Sequence, residues 1–159
     1  MFMKIEYQKL IIAILIPLLV GFISSFFMDL EWYNTLNKPV ITPPNWVFMP
    51  VWTTLYVLMG IAFYLVWIKF NKFSPLTRTT ANVLYHTQLF LNFSWTLFFF
   101  GFKEIELSLI IILLLLVFII ATLASFFMID KRAGYLLTPY LIWVFFATLL
   151  NASFVVSNY

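Results

Sequence analysis

Hydrophobic positions run along this chain in long blocks, and most polar positions fall between the blocks. Five stand out, approximately Leu10 to Met28, Trp46 to Ile68, Ala81 to Phe102, Leu107 to Ile129 and Ala133 to Ser157. None has the alternating pattern, in segments of about ten residues, that marks a transmembrane barrel strand. Each is long enough to cross about 30 Å of hydrocarbon as a helix. Inside a bilayer a helix satisfies its own backbone, so the pattern predicts an all-α, integral-membrane bundle of five transmembrane helices. One domain over residues 1–159 accounts for the whole pattern. Lys4 and Lys9 precede the first block as in a signal peptide, but no small-x-small cleavage site follows it, so the block is expected to be retained.

The connectors are short except the first, about seventeen residues from Asp29 to Asn45. A turn between neighbouring helices needs far fewer, and excess length of this kind is often functional. Pro43 and Pro44 suit a helix entry and Asn45 its N-cap, while Pro50, about a turn further on, predicts a kink.

Composition agrees with a membrane solvent. Of 159 residues, 64% are hydrophobic and 9% charged, against about 25% charged in soluble domains. Seven of the nine basic residues, Lys4, Lys9, Lys69, Lys72, Arg78, Lys131 and Arg132, fall on one side of the five spans, leaving Lys38 and Lys103 on the other. This asymmetry predicts a cytoplasmic N-terminus and an outer C-terminus, with the long connector outside, in the plasma membrane of a prokaryote. It accounts for the net charge of +3 without a nucleic-acid partner. The chain has no cysteine, which removes disulfides, thiolate catalysis and cysteine-held metals. All six acids lie at predicted membrane edges, a placement that argues against a proton-coupled pump or a pore for charged substrates.

Candidate chemistry gathers in the third span. Gln88, Asn92 and Trp95 share one helix face at i, i+4 and i+7. Amides at that depth need partners, which are either other helices or a bound ligand. His86 is the only histidine, so a multi-histidine metal site is excluded; an axial haem bond or a plain hydrogen bond remains open to it. In the second span Trp52 and Tyr56 share a face, and Trp46 sits at the end, where tryptophan usually anchors the interface. The last span carries a stripe of Tyr140, Trp143, Ala147 and Asn151, where the small Ala147 either leaves space beside the rings or admits a neighbouring helix. Ala121 and Ser125 in the fourth span have small-xxx-small spacing, a weak association signal.

Four patterns occur in order: Trp32-Tyr33 with Leu36 and Lys38-Pro39; Thr42-Pro43-Pro44 followed by Val51-Trp52-Thr53-Thr54-Leu55-Tyr56; Gln88-xx-Leu91-Asn92-xx-Trp95; and Pro139-Tyr140-xx-Trp143 with Ala147 and Asn151. Together they resemble the TspO/MBR family, the tryptophan-rich sensory and translocator proteins that include the peripheral benzodiazepine receptor. The resemblance covers most of the chain. It implies a five-helix homodimer whose pocket is closed by the first loop, about 29–45. It also implies receptor or sensor function toward tetrapyrroles, protoporphyrin IX or haem, and toward isoquinoline carboxamide or benzodiazepine-like ligands. Trp52, Asn92 and Trp143 correspond to the family's pocket residues, and the two tryptophans to those tied to light-dependent porphyrin breakdown. The chain departs from the family at Ile41, where tryptophan is usual, and at Asn45, where glycine is. No match to the animal sterol motif appears near the C-terminus.

The expected ligand site therefore comprises Trp52, Asn92, Trp143, Gln88, Trp95, Tyr56, Ala147, Trp46 and Tyr140, under a lid of Trp32, Tyr33, Lys38, Pro39, Pro43 and Pro44. Porphyrin or haem is expected as ligand and not as an obligate cofactor, no metal is expected, and membrane lipid is the surrounding partner. Transport of tetrapyrroles or lipids, and light-dependent porphyrin degradation, are the alternatives.

Overall fold

The computed structural model describes residues 5–159, and it is helical, with no strand among the described residues. Lys4, counted above with the basic side, lies outside them. Six α-helices run in order: α1 Tyr7–Ser25, α2 Leu30–Thr35, α3 Asn45–Trp67, α4 Pro75–Thr96, α5 Ile105–Ile129 and α6 Lys131–Asn158. A 3-10 turn, Phe70–Lys72, precedes α4, and a π-helical turn, Leu97–Gly101, continues it.

Four helices, α1, α3, α5 and α6, are long and apolar enough to cross a membrane, not the expected five. The missing one is α4, which has the length at 22 residues but carries Arg78, Asn82, His86, Gln88 and Asn92 along it. The extra helix is α2, which forms inside the stretch expected to be loop. Asp29 caps it, accepting a hydrogen bond from the Trp32 amide at 2.9 Å. Asn45 is not the N-cap of α3 but its first helical residue; Pro44 occupies the cap position without a side-chain bond.

The five long helices close into a ring, α1 against α3, α3 against α6, α6 against α5, α5 against α4, and α4 back against α1. Small residues let α1 and α3 approach closely: Ala13, Pro17, Gly21 and Ser24 form a stripe on α1. A Cβ at Gly60 would meet the Ile14 Cα at 2.5 Å and the Ala13 carbonyl oxygen at 2.7 Å, so only glycine fits that crossing. On α5 the buried positions Ser108, Ile112, Leu115, Ile119, Thr122 and Phe126 recur at three- and four-residue intervals and face the bundle. Ser125 is buried there too, while Ala121 is half-buried.

Across the middle of the ring, α3 and α4 meet through long side chains. Tyr85 stacks on Phe63 with centroids 4.4 Å apart and 7° between planes, and on Phe126 at 5.8 Å. At this end Asp130, the one non-helical residue between α5 and α6, is buried and accepts from Lys69 at 2.8 Å and Arg132 at 3.1 Å. Burial works to raise the Asp130 pKa, but the Arg132 and Lys69 hydrogen bonds outweigh it and hold the carboxyl below its ordinary value.

Candidate functional site

Toward the other end, the ring interior is a chain of hydrogen bonds joining three helices. The Tyr56 hydroxyl donates to Asn92 Oδ1 at 2.7 Å, Asn92 Nδ2 donates to the Tyr140 hydroxyl at 3.3 Å, and Tyr140 donates to Gln88 Oε1 at 2.9 Å. All four side chains are buried. The i, i+4 spacing of Gln88 and Asn92 puts both amides on the inner face of α4, where the two tyrosines from α3 and α6 meet them. Gln88 Nε2 is buried with no partner, so the chain ends in an unused donor.

Trp52 covers this network. It stacks on Tyr56 at 5.6 Å and lies 6.3 Å from both Trp95 and Tyr140. Trp95 is fixed by its Nε1 donating to Asn151 Oδ1 at 2.9 Å, and Asn151 also receives Ser108 and donates to the Ile105 carbonyl. Ser108 and the role of Asn151 as organiser were not evident from spacing alone, although Asn151 stood on the polar stripe of the last helix. Gly21 is the other unforeseen participant: a Cβ there would run into the Tyr56 ring, so its lack of a side chain leaves room for the first link of the network.

Trp143 is placed differently. It lines a groove of about 660 Å³ on the outer side of the α3–α6 seam, with Val51, Leu55, Tyr135, Thr138, Pro139, Ile142 and Phe146. Its ring packs against Phe48 at 6.1 Å and Phe146 at 5.5 Å, and its buried Nε1 makes no hydrogen bond. Packing alone sets its position. Pro139 leaves the Tyr135 carbonyl without its i+4 donor at this groove. Ala147, one turn beyond Trp143, is buried.

Trp46 does not join the cluster; it is 75% exposed at the start of α3. His86 is exposed as well: Nδ1 lies 2.8 Å from the Asn82 carbonyl, and the ring sits edge-on to Phe63. It faces away from the amides of Gln88 and Asn92. No cluster of three or more potential metal ligands occurs among the described residues.

The stretch expected to form the lid packs as a cap on the end of the bundle. Tyr33 is buried against Phe100 at 5.5 Å and Phe154 at 5.6 Å, and Trp32 meets Phe99 edge-on at 5.8 Å. Phe99 in turn touches Trp95 at 5.7 Å, which makes the aromatic contact continuous from lid to Trp52. Burial pushes the Tyr33 phenol up to about 12. Lys38 donates to Asn34 at 2.9 Å and lies 4.5 Å over the Tyr33 ring. One end of the cap is clipped by Lys103 on Asp29 at 2.9 Å, and the Trp32 amide bond, with Lys103 second, holds the Asp29 carboxyl below its ordinary value. The other end is clipped by Asn37 and Asn158: the Asn37 amide donates to Asn158 Oδ1 at 2.9 Å, and Asn158 Nδ2 returns a bond to the Asn37 carbonyl at 3.2 Å. Pro39 and Pro43 are half-buried beyond that clip, and Pro44 is exposed.

Comparison with known proteins places these features. A family model described as the TspO/MBR family matches residues 13–156. The chain is similar to the tryptophan-rich protein TspO of Archaeoglobus fulgidus, with 40% identity over 153 residues, 94% of this chain and 97% of that protein. It is 42% identical over 122 residues to a tryptophan-rich sensory protein of Cereibacter sphaeroides, covering 76% of this chain and 73% of that one. It is 39% identical over 140 residues to the translocator protein of Homo sapiens, 86% of this chain and 82% of that one.

Proposed function

The chain belongs to the TspO/MBR family of integral membrane proteins, and from that premise we propose that it is a receptor for a flat, largely apolar ring molecule, a tetrapyrrole such as protoporphyrin IX or haem. Isoquinoline carboxamide and benzodiazepine-like molecules share the required shape. The observation that carries this reading is the meeting of Trp52, Tyr56, Gln88, Asn92 and Tyr140 from three helices, beside a groove walled by Trp143. The groove's volume, about 660 Å³, lies within the range of small-molecule sites, which are mostly apolar; its own lining is apolar and aromatic, and the amides of Gln88 and Asn92 stand behind it in the bundle and not on its wall.

The same reading makes α4 a fifth span. Its amides face the ring interior, where protein supplies the partners that lipid would not. On this reading the basic residues beside the start of α1, the end of α3, the start of α4 and the start of α6 favour that end as the cytoplasmic one in a prokaryote, with the lid outside. The proposal includes a homodimer, checked by the mass of the protein in detergent.

The deciding experiment is a titration of the purified chain with protoporphyrin IX in the dark. Saturable quenching of tryptophan emission at micromolar porphyrin is expected, weakened in Asn92→Ala. A non-saturating response would end the receptor reading. The close stack of Trp52 on Tyr56 favours a second reading, light-dependent porphyrin breakdown. Illumination that consumes porphyrin in the native chain but not in Trp52→Phe or Trp143→Phe would establish it, whereas porphyrin flux into vesicles without modification would favour a transporter.

A further inference from the structure

A second, smaller cleft of about 260 Å³ lies where α3 ends and α4 begins, lined by Phe70, Pro75, Arg78, Thr79 and Asn82. We propose that this cleft binds the phosphate group of an anionic membrane lipid, with the Arg78 guanidinium as its principal contact.

Charge complementarity carries the assignment. The helix ends gathered here bear Lys9, Lys69, Lys72, Arg78, Lys131 and Arg132, against two acids among the described residues, Glu6 and Asp130. Both acids are already engaged. Glu6 holds Lys9 at 2.7 Å, and Asp130 holds Lys69 and Arg132. Lys72, Arg78 and Lys131 have no acidic partner among the described residues, and of the three only Arg78 is half-buried in a concave site. A guanidinium presents two parallel N–H groups that match two phosphate oxygens.

The neighbours complete the site. The Thr79 hydroxyl and the Asn82 amide line the cleft, and neither side chain is engaged in a hydrogen bond with another described residue. Phe70 supplies an apolar wall beside them, suited to the glycerol and first methylenes of a lipid. Depth agrees as well. Arg78 and Asn82 stand in the first turns of α4 beside Phe70, just past the end of α3, and Lys69 next to Phe70 reaches Asp130 at the α5–α6 junction. Helix ends at this depth meet lipid headgroups. Basic pockets between helices on this side of a membrane are suited to such anions, and a basic residue in contact with the headgroup contributes about five-fold in affinity.

The test uses the full chain in neutral detergent, with lipid adducts counted by native mass spectrometry. Phosphatidylglycerol should be retained over phosphatidylcholine of the same chains, and Arg78→Gln should reduce that preference about five-fold. Asn82→Ala should reduce it less, Arg78→Lys should restore part of it, and Lys131→Gln, on the same end but outside the cleft, should leave it nearly intact. Equal losses in Arg78→Gln and Lys131→Gln would overturn the proposal in favour of diffuse surface charge. Displacement of the lipid by inorganic phosphate at millimolar concentration would overturn the lipid as the source. Circular dichroism on each variant separates loss of binding from loss of fold, and if Arg78→Gln does not fold, the Asn82→Ala and Lys131→Gln comparison decides.

Discussion

Asn92→Leu tests whether the interior network holds the bundle together. Leucine keeps the branched outline of asparagine, with somewhat more volume, and removes the 2.7 Å bond from Tyr56 and the 3.3 Å bond to Tyr140. Hydrogen bonds between membrane helices average about 0.6 kcal/mol and reach about 1.7 kcal/mol. The short bond belongs at the upper end and the long one at the lower, so the loss is about 2 kcal/mol. It falls unequally on the partners. Tyr140 keeps Gln88 as acceptor at 2.9 Å, whereas the buried Tyr56 hydroxyl is left with none. Tyr56→Phe removes that orphan, so the phenylalanine change should be costly in the native chain and nearly free in the Asn92→Leu background. A double-mutant cycle read by reversible unfolding in mixed micelles, followed by circular dichroism, should give a coupling of about 1 kcal/mol or more. Independent sites add within about 0.3–0.5 kcal/mol. A coupling below that band would refute the bond as a stabilising link.

Gly60→Ala should destabilise the fold by about 1–3 kcal/mol in the same assay, because the new Cβ meets the Ala13 and Ile14 backbone, which no rotamer change relieves. Asp130 sets an acid limit. Its folded pKa lies below the ordinary 3.8, so its contribution is complete above that value and is lost as pH falls through the folded one. Stability measured at falling pH should show this loss in the native chain, and Asp130→Asn should lack it while being weaker near neutrality. Asn158→Ala removes one clip of the cap; amide exchange over residues 30–37 should quicken while global unfolding shifts by less than about 0.5 kcal/mol, as for exposed contacts generally.

The helical class and the membrane solvent were legible from block length alone, since a continuous apolar run of about twenty residues has few other physical solutions. The inner face of α4 was legible too. Gln88 and Asn92 are costly in an apolar run, and their four-residue spacing assigns them to one side. The same polarity explains why α4 falls short of a membrane span by composition: its amides are compensated by partners on other helices that no local pattern contains. Helix α2 was missed because six residues carry too little periodicity to register, and its stability comes from Tyr33 and Trp32 packing on Phe99, Phe100 and Phe154, all distant in sequence.

Only the tertiary structure separated the two tryptophans expected in the pocket. Trp52 and Trp143 look alike in sequence, each in an aromatic stripe beside a tyrosine. Ring closure turns Trp52 inward onto the amide network and leaves Trp143 on the groove at the α3–α6 seam. The reason is geometric. A helix period says which residues share a face, but the order of helices around the ring decides what that face meets, and that order follows from contacts such as Gly60 on Ala13 and Asp130 on Lys69. Sequence determined the materials, rings and amides at fixed helix positions; the fold decided which of them are joined in the interior and which stand at an open groove.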